Sequence, residues 1–112
     1  RRVFFDFGRI VRDEQGRIID IREKKDASED ELRLLEVNPG LSMFQSAWLW
    51  EHIGRLRDNN AQKEYYLTDL MKMAAEEGRA IASLAIRPEE ALGINTPEQL
   101  ALAEQLFSGG AV

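Results

Sequence analysis

The chain has no cysteine, which excludes a disulfide framework and thiolate chemistry and fits a reducing cytoplasm. Its single histidine, His52, is too little for a histidine-rich metal site and is expected at the surface. No apolar run approaches the ~20 residues that a membrane helix needs, and no signal-peptide pattern opens the sequence, so no membrane partner is expected. GxGxxG, a Walker loop and a Ser/His/Asp set are all missing, so no glycine loop is available to cradle a nucleotide. Positive charge is short as well. With 15 Lys and Arg against 20 Asp and Glu, the net charge is −5, and no basic stripe compensates. That argues against binding a nucleic-acid backbone.

What is present describes a folded chain. Apolar residues make up 44% and charged residues 31%, a balance that separates it from disordered sequences. At 112 residues it holds one domain at most, with a single core. It begins Arg1-Arg2 without Met, so a processed piece or part of something longer is expected.

Residues 3–7 form a β-prone opening. Arg9 to Arg12 and Arg17 to Glu23 flank Asp13-Glu14-Gln15-Gly16, a hairpin signal in which Gly16 supplies the positive φ. Period-2 alternation places Ile19, Ile21 and Glu23 on one strand face and Ile18, Asp20 and Arg22 on the other. If the isoleucine face is covered, Glu23 points toward the core side, which is costly without a partner or a cleft. The alternative is a solvated strand end, or pairing with Lys24 or Lys25. Ser28 to Glu31 is a capping box opening a short helix with Leu32, Leu34 and Leu35, which Pro39 and Gly40 end. A strand over Leu41 to Phe44 is expected next. Ser46 then caps a helix with the face Leu49, Ile53 and Leu56, and with Trp48 and Trp50 on its shoulders.

Asn60 to Asp69 carries amides, carboxylates, two phenols and a hydroxyl just ahead of the helical spacing Leu67, Leu70, Met71, Ala74. Unpaired N–H groups at such a helix start favour anions and hydroxyl oxygens, making the stretch a candidate ligand site. A loop with an ordinary helix cap accounts for the same residues. The helix is expected to run to Gly78 with Met71 and Met73 in its packing, followed by a buried strand over Ala80 to Ile86. Thr96, Pro97 and Gln99 supply an N-cap, Pro at N1 and Gln at N3 for a last helix bearing Leu100, Ala103, Leu106 and Phe107. This alternation belongs to an α/β layer fold without a complete doubly wound unit.

Five ordered motifs carry a resemblance. They are Gly8 to Asp13, Glu23 to Ala27, Glu36 to Gly40, Asn60 to Asp69, and Leu92 to Asn95. The series resembles the second half of the pyrophosphorylase domain of bacterial N-acetylglucosamine-1-phosphate uridyltransferase, one of the sugar-nucleotide nucleotidyltransferases, from Gly8 to about Leu106.

The resemblance implies the C-terminal portion of a Rossmann-like nucleotidyltransferase fold, with a mixed sheet, a β-hairpin and about four helices. Residues 1–112 would be a single partial domain, the sugar-binding half, without the nucleotide-binding half. The implied substrates are a sugar 1-phosphate and UTP, joined into UDP-N-acetylglucosamine, a cell-wall precursor, with release of pyrophosphate. Gly8 would let backbone approach the sugar, and Glu23 would accept from sugar hydroxyls. Asn38 would act through its amide, and Glu64, Tyr66 and Thr68 would line the sugar and phosphate region. Asn95 matches a magnesium ligand whose aspartate partner lies outside these residues; Mg2+ is the implied cofactor.

Four positions depart from the family's pattern: Phe7 for Tyr, Pro39 for Thr, Lys63 for Gly, and Thr96-Pro97 for Asn-Arg. They leave open another hexose 1-phosphate or dTTP. A reading of a different class is a non-catalytic fragment that self-associates through an exposed sheet edge, as a homo-oligomer. On either reading the isolated chain is expected to lack turnover.

Overall fold

The computed structural model describes residues 6–108 as two compact units, Asp6–Ala82 and 83–108. In the first, β1 (Gly8–Arg12) and β2 (Ile18–Arg22) precede a 3-10 turn, Lys24–Asp26. Then come α1 (Glu29–Leu32), β3 (Val37–Asn38), α2 (Ser46–His52), a 3-10 turn over Ile53–Arg55, and α3 (Asp69–Glu76). The second unit holds a 3-10 turn, Pro88–Ala91, and α4 (Pro97–Ser108). The α/β class, the hairpin and the four helices agree with expectation. The described strands are all antiparallel, in the order β2-β1-β3, so the parallel part of the expected mixed sheet is not among them. No helix among the described residues is long and apolar enough to cross a membrane.

The hairpin turn is built by Asp13. Its carboxylate accepts from Gln15 N at 3.0 Å and Arg17 N at 2.9 Å, while Gly16 takes φ 79°. Pairing runs Ile10 to Ile21 and Val11 to Asp20, then slips, leaving Ile19 unpaired as a bulge. Ile18 and Asp20 are buried with Ile19 exposed between them, and Ile21 is buried as well, so both faces of this strand are covered in part and not the isoleucine face alone.

Ser28 forms the expected capping box, accepting from Glu31 N at 3.2 Å while Glu31 accepts from Ser28 N at 2.8 Å. The helix stops at Leu32, and Leu34 and Leu35 lie beyond it. The third strand is Val37–Asn38 rather than Leu41 to Phe44, as Gly8 pairs with Asn38 and Arg9 with Val37. Pro39 has no N–H to donate and Gly40 turns the chain at φ 91°, so pairing ends there. Met43 is left 97% exposed. The β-prone opening falls outside the described residues at 3–5, and Asp6 and Phe7 lie in a turn and a bend.

The core joins Trp48, Leu56, Leu70 and Ala74, with Phe44, Leu49, Met73 and Ile81 against it. Ser46 is the first helical residue rather than the cap. The buried face of α2 is Trp48 and His52, whereas Trp50 is 72% exposed and Ile53 faces outward. His52 is 3% exposed, not the surface residue expected. It can be buried because both ring nitrogens have partners, Trp48 O at 2.8 Å and the Glu77 carboxylate. The Trp48 indole donates to the other Glu77 oxygen at 2.9 Å and stacks on the His52 ring, centroids 4.1 Å apart. α3 ends as expected at Gly78, which has φ 70°. Gly78 N donates to Ala75 O at 3.0 Å and Arg79 N to Ala74 O at 2.9 Å, a Schellman pair.

The expected strand over Ala80 to Ile86 is not a strand, and Leu84 is 87% exposed. An apolar run becomes a strand only beside a partner, and none of the three described strands pairs with it. In the second unit the cap of α4 is as expected. Gln99 N donates to Thr96 Oγ1 at 3.2 Å, and Thr96 N donates to Gln99 Oε1 at 3.1 Å.

Glu77 should give the fold a readable acid dependence. The Trp48 indole and then the His52 ring hold its carboxyl below the usual 4.5. A group lowered in the folded state stabilises fully above its unfolded value, and that contribution is lost as pH falls through the folded one. In urea unfolding, the unsubstituted chain is expected to exceed Glu77→Gln by a constant margin from neutral pH to 4.5. The margin should close below that value.

Candidate functional site

The end of β2, β3 and the loop before α3 converge on one cleft. Glu23, Asn38, Glu64, Tyr66 and Thr68 line it, with a volume of about 350 Å3. That is the scale of a small-ligand site. Five of the seven sequence-derived candidates are thus brought together from three separate segments.

Gly8 sits behind them. A Cβ on Gly8 would lie 3.2 Å from Ile21 Cγ2 and 3.5 Å from Glu23 Cδ. The missing side chain therefore makes room chiefly for Ile21, while the Glu23 carboxyl would meet a Cβ only at ordinary contact distance. Glu23 itself follows the last residue of β2, and its Oε1 accepts from Thr68 Oγ1 at 3.0 Å. The Thr68 hydroxyl is spent on that bond and does not cap α3. Asn38 uses its carbonyl oxygen on Gly40 N, at 3.3 Å. One Glu23 oxygen, the Glu64 carboxylate and the Asn38 NH2 are among what the cleft can offer a ligand, together with the Ser42 and Tyr65 hydroxyls on its lining. The two carboxylates give it acceptors for hydroxyl or N–H donors.

The loop is braced from within. Asn60 accepts from Glu64 N at 3.2 Å and donates to Glu64 O at 2.5 Å. Lys63 between them takes φ 56°, a left-handed conformation that costs a residue with a Cβ about 1–2 kcal/mol. The Tyr66 hydroxyl donates to Asp26 Oδ2 at 3.0 Å and accepts from Gln62 Nε2 at 2.8 Å. Asp26 Oδ1 also accepts from Ala61 N at 2.8 Å. Burial first, and the Asp26 carboxylate after it, push the Tyr66 phenol up from its ordinary value.

Sequence reading missed Asp26, Asn60 and Gln62 as individual residues. For Asp26 a signal was available. It stands three residues after Glu23, one 3-10 turn on, so both carboxylates project to the same side.

Asn95 belongs to the second unit, just ahead of α4, where its N–H donates to Gln99 Oε1 at 2.6 Å. Its exposed side chain offers one neutral oxygen. Among the described residues no group of three or more His, Cys, Asp or Glu could hold a metal ion. These residues alone do not fit a magnesium site.

A second opening, of about 360 Å3, lies over β2 and α3 and shares Glu23 and Tyr66 with the first. Its charges are of both signs, and Arg22 Nη2 meets Asp20 Oδ2 at 2.9 Å. Burial raises the Asp20 and Asp69 carboxyls. Charges committed to one another leave less for a ligand, so the first cleft is the better candidate.

Comparison with curated proteins finds the bifunctional protein GlmU of several bacteria. That of Clostridium kluyveri is 43% identical over 103 residues, covering 92% of this chain and 23% of the relative. For Psychrobacter sp. the figures are 48% over 111 residues, 96% and 24%. For Trichlorobacter lovleyi they are 48% over 104 residues, 92% and 23%. This chain is related to the bifunctional GlmU proteins. It spans about a quarter of the length of the GlmU relatives it matches. No family model matches the chain. The GlmU similarity and the ordered motifs point to the same family, and the α/β architecture suits a piece of a nucleotidyltransferase domain.

Two substitutions test the geometry. Gly8→Ala is expected to cost about 1–3 kcal/mol in urea unfolding, because the buried Ile21 must yield. Full stability would mean that the wall is soft. Lys63→Gly should relieve the left-handed strain and raise stability by up to about 1 kcal/mol, offset in part by the freer unfolded chain.

Proposed function

We propose that the chain is the sugar-binding part of a nucleotidyltransferase. The enzyme would make UDP-N-acetylglucosamine from N-acetylglucosamine 1-phosphate and UTP, releasing pyrophosphate. The single observation that supports this best is the gathering of Glu23, Asn38, Glu64, Tyr66 and Thr68 around one cleft, with Gly8 behind it. In the reaction a sugar-phosphate oxygen attacks the α-phosphorus of the triphosphate, and the pyrophosphate leaves. Such chemistry depends chiefly on positioning and charge neutralisation.

The residues of this chain would do the positioning. Glu23 accepts from a sugar hydroxyl through the oxygen not engaged by Thr68. Asn38 donates from its NH2 to a sugar oxygen, since its carbonyl is held by Gly40 N. Magnesium would neutralise phosphate charge. Asn95 offers it one oxygen at most, so no step here is routed through a metal. Groups that hold the triphosphate are supplied from outside the described residues, and the domain is partial in this sense.

A related hexose 1-phosphate or dTTP is the second reading, and Pro39 is the residue that favours it. Proline there removes a hydroxyl and an N–H beside Asn38, narrowing what the cleft can donate.

Calorimetric titration of the chain with N-acetylglucosamine 1-phosphate tests the proposal. Binding is expected with the sugar phosphate and none with UTP alone. Glu23→Ala should weaken it roughly 10–100-fold, the scale of a lost hydrogen bond to a charged group. Unchanged affinity would remove Glu23 from the site. The chain alone should show no UTP turnover.

A further inference from the structure

We propose that Asp26 is the positioning residue of this cleft, pinning the 60–66 loop to the end of β2 and setting the hydrogen-bonding polarity of Tyr66. The inference rests on reading the cleft as a sugar site, and it adds which end of the ligand faces the loop.

Two bonds carry it. Asp26 Oδ1 accepts from Ala61 N at 2.8 Å, and Oδ2 accepts from the Tyr66 hydroxyl at 3.0 Å. One carboxylate thus grips both ends of a loop that holds a left-handed Lys63 between them. Strain of that kind persists only where the surroundings over-determine the backbone. Asn60 braces the loop internally, but Asp26 is the group that ties it to the strand side of the site.

The polarity follows from counting. A phenol has one proton and two lone pairs. The Tyr66 proton goes to Asp26, and one lone pair receives Gln62 Nε2 at 2.8 Å. What remains is a single acceptor. Tyr66 therefore meets a hydroxyl or N–H of the ligand and cannot donate to a phosphate, whose oxygens are themselves acceptors. With Glu23 and Glu64 also on the lining, Tyr66 belongs to the acceptors that meet the sugar hydroxyls.

Asp26→Asn separates the roles. Its oxygen can still meet Ala61 N, but its NH2 confronts the Tyr66 hydroxyl and reverses the bond. In titrations with N-acetylglucosamine 1-phosphate, Asp26→Asn and Tyr66→Phe are each expected to weaken binding about tenfold. The double variant should be no weaker than the poorer single, because Asp26 acts through Tyr66. Asp26→Glu, which keeps the carboxylate, should recover part of the loss. Wild-type affinity in Asp26→Asn, or effects that multiply in the double variant, would overturn the proposal.

Amide exchange supplies a readout that needs no ligand. In Asp26→Ala the Ala61 amide should exchange at least about tenfold faster while the Leu70 amide in α3 keeps its protection. If the unsubstituted chain binds no sugar phosphate, the sugar reading fails. The loop-pinning role then stands on accelerated Ala61 exchange and falls if that exchange is unchanged.

Discussion

β1 is paired on both of its edges and has no side chain at Gly8, and the site depends on these two facts together. Central pairing brings the end of β2 and the two residues of β3 to one level of the sheet, with Asn38 opposite Gly8. The empty Cβ position then allows Ile21 to close over the strand. So short a strand as β3 needs help to stay in register. It comes from Arg12, whose guanidinium meets both oxygens of Glu36, at 2.7 and 2.6 Å. The paired geometry is the stronger kind of ion pair, though its exposure moderates the gain.

On that frame the loop before α3 is held by reciprocal polar contacts rather than by apolar packing. Thr68 gives its hydroxyl proton to Glu23, and Tyr66 gives its proton to Asp26. The left-handed Lys63 is held among these contacts. Away from the cleft, the Trp48–His52–Glu77 cluster ties α2 to the end of α3 in a comparable way. An imidazole and an indole reach one carboxylate at the edge of the core.

Much of this was legible from residues alone, wherever the deciding interaction is local. The Asp13–Gly16 turn, the Ser28–Glu31 and Thr96–Gln99 boxes and the Gly78 terminus each close within about five residues, and each formed as read. The misreadings have a common cause. Leu41 to Phe44 and Ala80 to Ile86 have strand composition but none of the described strands beside them. His52 looked like a surface residue because its partner Glu77 is 25 positions away. The burial of Asp20 beside Ile21 was not readable because what covers each face of β2 comes from elsewhere in the fold.

The sequence by itself determined the turns, caps and helix ends of this protein, its α/β class, and a set of polar residues ordered along the chain. Tertiary structure alone decided which of those residues meet. Glu23, Asn38, Glu64, Tyr66 and Thr68 share a cleft because β1 pairs with β2 on one edge and β3 on the other, and Thr68 bonds Glu23 across from the loop. The partners of Asp26 lie 35 and 40 positions away, beyond the reach of its local spacing. Local hydrogen bonds are specified by spacing along the chain. Contacts of that range are specified by strand register and packing, which no short stretch contains.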